Sequence, residues 1–228
     1  MLQNRSFSEV LLHDLGEVAL PRGNVKQALS VSCKAVTHLI EEGKKPLILG
    51  GDHSVTLAGV TPLLQKYPHL VVLQMDAHAD LRSAYLGESC SHASVMYALL
   101  ERGVKHIYQL GIRSGTSQEI SLARSRNRFY PYQVKEPLQS MVSELTHAPV
   151  YVTLDIDVVD PAFAPGTGTP EPGGITSEEL LSGLPFLKGL NLVGFDLVEV
   201  SPPHDSNGIT ALLAAKILRE AAILLDSS

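Results

Sequence analysis

The chain has 228 residues, 44% of them hydrophobic and 18% charged, with a formal net charge of −6. That length points to one domain spanning residues 1–228, and that composition to a sizeable apolar core. No Lys/Arg cluster suits a nucleic-acid groove, no apolar run is long enough for a bilayer, the first residues lack the pattern of a signal peptide, and Cys33 and Cys90 make no disulfide framework. The expectation is a cytoplasmic protein that binds neither nucleic acid nor membrane, with an acidic balance that suits a small cationic substrate.

Strand-like and helix-like segments alternate along the chain. Val10–His13 reads as a strand. Asn24 caps a predicted helix running to about Glu42, with apolar residues at Ala28, Val31, Ala35, Val36, Leu39 and Ile40, and Gly43 stops it. Leu47–Leu49 is a strand, and Val55–Tyr67 a helix that Pro62 should restart or kink. Leu70–Met75 is a strand, His92–Arg102 a helix ended by Gly103, and His106–Gly111 a strand. Gln118–Arg124 reads as a short helix, Arg128–Tyr132 as a strand and Val134–Leu145 as a helix whose start Pro137 limits. Val150–Leu154 is a strand, Ser177–Leu187 a helix with Thr176 near its cap, Leu192–Val198 a strand, and Gly208–Leu225 a long apolar helix covered on both sides. The alternation implies parallel strands joined by helices, an open α/β domain. Ligands in such sheets bind beyond the carboxyl ends of the strands.

Three acidic–histidine clusters stand at those ends: GGDH at Gly50–His53, DAHAD at Asp76–Asp80 and DID at Asp155–Asp157. Alone, a DxD is usually a solvated turn, and GGDH or DAHAD could be a polar loop. Together, each after an apolar strand, they bring His53, Asp76, His78, Asp80, Asp155 and Asp157 toward one place. Four carboxylates and two imidazoles packed together repel unless cations separate them. The economical reading is a site for two metal ions. Oxygen donors with some imidazole favour Mn²⁺ and leave Zn²⁺, Co²⁺ and Fe²⁺ open. Mg²⁺ fits less well, because it keeps its waters and avoids imidazole. The Pro/Gly-rich stretch Asp160–Gly174 directly after a cluster reads as a site wall.

The motifs GGDHS, MDAHADLR, DIDVVDPAFAPGTGTPEPGG and FDLVEVSPP resemble those of the ureohydrolase family, which includes arginase, agmatinase, guanidinobutyrase, proclavaminate amidinohydrolase and formimidoylglutamase. The resemblance runs from about Val10 to the end of the chain. It implies a three-layer αβα sandwich with a mostly parallel sheet, a dinuclear manganese centre, and trimers or hexamers. It implies hydrolysis of a guanidinium group by a metal-bridging hydroxide. His53, Asp76, Asp80 and Asp155 would hold one manganese. Asp76, His78, Asp155 and Asp157 would hold the other. Asp80 would relay a proton to the departing amine, Glu199 would pair with the substrate guanidinium, and His92 would shuttle protons to bulk water. Thr169 would line the pocket. The remaining histidines read as surface residues.

Within the family, the GIRS wording and the full DPAFAPGTGTPEPGG loop look more like agmatinases than arginases. Ser114 and Thr116 stand where arginases carry Asp, although Glu119 remains and could face a cationic tail. The expected reaction is agmatine to putrescine and urea, a step of polyamine biosynthesis. Guanidinobutyrase, arginase or formimidoylglutamase activity, or a non-catalytic member, are the alternatives. Family members usually carry another strand and a GPR-type motif ahead of the region matching Val10. This sequence shows neither, so the domain is expected to be short at its N-terminus and to lack that strand. Cys90 stands where Tyr is common.

Overall fold

The computed structural model describes residues 6–228, so residues 1–5 of the expected domain lie outside the described residues. Among these, six strands form one sheet: β1 (Leu47–Leu49), β2 (Val71–Met75), β3 (His106–Leu110), β4 (Arg128–Tyr130), β5 (Pro149–Asp155) and β6 (Asn191–Val198). Every pairing is parallel, in the order β1-β6-β5-β2-β3-β4. Seven α-helices accompany them: α1 (Val25–Glu41), α2 (Thr56–Lys66), α3 (Val95–Glu101), α4 (Ser117–Arg126), α5 (Lys135–Leu145), α6 (Ser177–Gly183) and α7 (Ile209–Asp226).

The sequence sets the helix boundaries. The Asn24 side chain accepts the Gln27 N–H at the start of α1, and Gly43, with φ of 72°, follows its end. Capping boxes open α4, from Thr116 and Glu119, and α6, from Thr176 and Glu179. Successive strand residues point to opposite faces, and helices cover both. Val72, Ile107 and Tyr151 pack with Val36, Leu57, Val60, Met96 and Leu99. Leu73, Val152 and Phe195 pack with Leu138, Met141, Leu180, Ile217 and Leu224 on the other side. The result is the expected αβα sandwich, with strands that read as near-continuous apolar runs because both faces are buried.

The strand order has a functional consequence. From β2 the chain winds outward to β3 and β4, whereas from β5 it winds the other way to β6. The order therefore reverses between β2 and β5, and ligands collect at such reversals. Met75 pairs with Leu154, so Asp76 and Asp155 follow at adjacent strand exits. Asp155 is in register with Val198, which sets Glu199 one step beyond.

Three expectations need correction. Val10–His13 is no strand: the stretch joins no ladder among the described residues, and Leu11 is exposed. A local apolar pattern cannot supply the neighbouring edge that a strand needs. Pro62 neither restarts nor interrupts α2, which is continuous around it. Burial of Leu57, Val60 and Leu63 on either side holds that helix despite the missing N–H. Finally, α7 is covered on both sides only in its second half, since Ile209 and Leu212 in its first turn are exposed.

Candidate metal centre

The six expected ligands converge. His53 opens a short 3-10 turn after β1, Asp76 follows β2, and Asp155 ends β5. Asp155 also caps the turn that carries Asp157. His53, Asp76, Asp80, Asp155 and Asp157 are buried, and the His78 side chain is 26% exposed. Two triads could each hold an ion, His53–Asp76–Asp80 and Asp76–His78–Asp157, and Asp76 belongs to both. Asp155 completes the cage, its Oδ2 lying 3.5 Å from His53 Nδ1.

Three of the carboxylates divide their oxygens in the same way. Asp76 Oδ1 accepts the His78 N–H at 2.6 Å, Asp155 Oδ1 the Asp157 N–H at 2.9 Å, and Asp157 Oδ1 the Ala77 N–H at 3.0 Å. Backbone donors thus fix one oxygen of each, and Oδ2 turns into the cage. There Asp76 Oδ2 and Asp80 Oδ2 lie 3.0 and 2.9 Å from His53 Nδ1, and Asp157 Oδ2 lies 2.8 Å from His78 Nδ1. His53 Nε2 sits 2.9 Å from Thr153 Oγ1, an anchor that leaves Nδ1 as the inward-facing nitrogen.

Two buried atoms in the cage, His53 Nδ1 and Asp157 Oδ2, make no hydrogen bond of acceptable geometry. Buried polar atoms are rarely left this way without a ligand or ion. Three carboxylate oxygens crowding one imidazole nitrogen are a poor hydrogen-bond site and a good cation site. The donor set, oxygens plus two imidazoles and no thiolate, fits a pair of divalent metal ions.

The titration behaviour agrees. Burial raises Asp76, Asp80 and Asp155 above the usual carboxylate range. Neighbouring carboxylates add to the rise, and Asp80 reaches about 6. Burial pulls His53 and His78 down, but the negative carboxylates pressed against their ring nitrogens outweigh it. His53 ends well above its ordinary value and His78 at about 9. Burial also pushes Asp157 up, yet His78 and the Ala77 N–H overcome that and leave it below the usual range. Without cations, the cage balances its charge with protons.

Around the cage stand the other expected residues. Glu199 follows β6 with φ of 63°, and its Oε1 accepts the His53 N–H at 2.7 Å. Burial raises its pKa against that hydrogen bond, and His92 is close enough for its charge to count. His92 is half-buried and meets the Tyr85 ring edge-on, centroids 5.3 Å apart. Thr169 is exposed and makes no hydrogen bond given by the structure, whereas Thr167 is buried and bridges to Val200 beside Glu199. His13, His38, His69, His106, His147 and His204 are all exposed, as expected.

The stretch Asp160–Gly174 is a built wall. Asp160 accepts N–H bonds from Ala162, Gly173 and Gly174. The Arg113 guanidinium donates to the carbonyls of Glu171, Val158 and Asp157, tying the wall to the cage. A Cβ at Gly174 would lie 2.6 Å from the Asp160 backbone nitrogen and 2.7 Å from the Val158 carbonyl oxygen, so only glycine fits that approach. Glu119 is buried at the start of α4. Its carboxylate is taken by the N–H groups of Thr116 and Leu81 and by Arg82. The T-x-x-E spacing from Thr116 to Glu119 is the sequence signal of this capping box. Sequence reasoning passed over Gln74, Gln109, Thr153 and Arg113; the signal for the first three was a polar residue inside an otherwise apolar strand.

Comparison with known proteins gives the same direction. A family model described as Arginase family matches residues 1–224. The chain is 42% identical over 221 residues to the agmatinase of Bacillus anthracis, covering 95% of this chain and 76% of that one. It is 34% identical over 232 residues to the guanidinobutyrase of Pseudomonas aeruginosa, covering 96% and 72%. A crystal structure from Clostridium difficile superposes with a TM-score of 0.90 at 34% identity, covering 93% of this chain and 79% of that one.

Proposed function

We propose that this chain, which belongs to the arginase family, hydrolyses agmatine to putrescine and urea with two manganese ions. The observation that carries the reading is the doubly shared cage, in which buried His53 Nδ1 and Asp157 Oδ2 have no aligned partner and Asp76 serves both triads. His53, Asp76, Asp80 and Asp155 would hold one ion, and Asp76, His78, Asp155 and Asp157 the other. Divalent ions there would acidify a water enough to attack a guanidinium carbon near neutral pH.

The remaining steps belong to side chains. Glu199 Oε1 is fixed by the His53 N–H, which leaves Oε2 for the planar guanidinium. Asp80 would take a proton from the attacking water and return it to the leaving amine. His92 would exchange protons with bulk water, its ring set by Tyr85. Thr169 would line the mouth. The substrate is a small cationic guanidino compound, and the protein is proposed to work in the cytoplasm as a trimer or hexamer.

Agmatine is favoured because the relatives at 40–42% identity include agmatinases, and because Ser114 and Thr116 offer no charge to an amino acid's zwitterion. Burying that zwitterion without partners costs on the order of 2–7 kcal/mol per polar group. If about 2.7 kcal/mol of that survives, kcat/KM for agmatine exceeds that for arginine by at least about 100-fold. Urea release at saturating Mn²⁺ from agmatine, arginine and guanidinobutyrate tests this. Equal rates, or a preference for arginine or guanidinobutyrate, overturn the substrate; no urea from any overturns the activity.

A further inference from the structure

Gln74 is a polar side chain in the middle of β2, fully buried between apolar neighbours, and a strand interior gives it no solvent to bond. Its bonds are nevertheless complete. Nε2 donates to Asp76 Oδ2 at 2.7 Å and to the His78 carbonyl at 3.2 Å. Oε1 accepts from Gln109 Nε2 at 2.7 Å. Gln109 sits on the neighbouring β3, in register with Gln74, and is equally buried. Its Nε2 also donates to the Ala79 carbonyl at 2.9 Å, and its Oε1 accepts from Asn127 Nδ2 at 2.7 Å. Three amides thus form one line from the end of α4 to Asp76, each donating toward the cage. Their orientation is forced, because a flipped Gln74 amide would aim its oxygen at a carboxylate and at a carbonyl.

We propose that Gln74, held by Gln109, is the positioning residue that sets Asp76 to serve both metal subsites. Asp76 is shared by the two triads, so its rotation disturbs both at once. Its Oδ1 is anchored by a backbone N–H, and among the described residues only the Gln74 amide fixes Oδ2 from outside the cage. The same two glutamines hold the carbonyls of His78 and Ala79, and so fix the loop that carries His78 and Asp80. Aligned amides polarise one another, which strengthens the last bond of the line. Hydrogen bonds behind metal ligands typically change metal affinity by about 10–100-fold. This inference rests on the metal reading of the cage given above.

The test is manganese binding to the full chain and to Gln74→Met, which keeps the side-chain length and removes both donors. Equilibrium dialysis should give a Kd for the variant weaker by about 10–100-fold. Electron paramagnetic resonance at two equivalents of Mn²⁺ should show isolated six-line manganese in the variant and a coupled pair in the parent. The Tm of the chelated variant should fall, because buried acceptors lose their donor, and the gain in Tm on adding Mn²⁺ should shrink as well; a merely structural role would lower the Tm with and without Mn²⁺ equally and leave the gain unchanged. If Gln74→Met does not fold, Gln109→Met decides by the same measurements. A folded variant with the parent's Kd and coupled spectrum overturns the inference while leaving the metal reading intact. A parent that binds no manganese overturns both.

Discussion

Removing the metal makes the protonation of the cage measurable as stability. In the metal-free protein His78 is raised from 6.5 to about 9, because the close carboxylates of Asp157 and Asp76 outweigh its burial. A group raised on folding stabilises fully below its unfolded pKa, and that contribution is lost as pH rises through the folded one. For His78 the window is therefore pH 6.5 to 9. At about 1.4 kcal/mol per pH unit, the interval is worth roughly 3 kcal/mol. Asp80, raised to about 6, contributes in the same direction at lower pH, so its share is already lost near neutrality. Asp157 is lowered, so its contribution is lost only in acid and does not cancel the slope.

For a chain of this size a kcal/mol shifts Tm by about 2–4 °C, so the EDTA-treated protein should lose about 6–12 °C between pH 6 and 9. Manganese reverses the sign, because ligands must shed protons to coordinate. The gain in Tm from added Mn²⁺ should grow between pH 6 and 8. Differential scanning fluorimetry on the two forms reads both slopes. A chelated protein whose Tm is flat or rises from pH 6 to 9 would refute the proton-balanced cage.

Two substitutions probe other links. His92→Ala should lower turnover by about 10²–10⁴-fold and leave bound manganese unchanged; full activity at neutral pH removes the proton-transfer role, and lost manganese moves His92 into the ligand set. Gly59→Ala should cost about 1–3 kcal/mol of stability, because its Cβ would collide with the Tyr151 hydroxyl that donates to buried Asp196. An unchanged Tm by thermal unfolding would show that Tyr151 can leave that carboxylate freely.

The site was legible where chemistry is local and hidden where it depends on register. GGDH, DAHAD and DID announce themselves, since few structural needs put so many acids beside histidines after apolar strands. That Asp76 and Asp155 leave adjacent strands follows from the pairing of Met75 with Leu154, which no residue states. Gln74 and Gln109 read as ordinary interruptions of strands until their register makes them bond. Val10–His13 and Glu119 differ in what the sequence could say of them. The first needed a neighbouring edge that a pattern cannot provide. The second carried a legible capping box, and the structure follows that local rule.

Part of the backbone strain, at Asp80 and Glu199, falls beside the metal cage. Among the described non-glycine residues only Asp80, Leu86, Tyr132 and Glu199 have positive φ. Such a conformation costs on the order of 1–3 kcal/mol and persists where surroundings over-determine it. They do so here. The Asp80 carbonyl accepts the N–H groups of Met96 and Tyr97 at the start of α3. Glu199 is gripped twice, its N–H by the Gly51 carbonyl and its carboxylate by the His53 N–H. Both grips join the exit of β6 to the exit of β1. Glu199 is therefore held by the turn that carries His53, and Asp80 by the start of α3. This strain weakens the metal-free site while leaving the packed layers beneath it untouched. Local opening should then begin at these strand exits rather than in the core, and bound metal should suppress it.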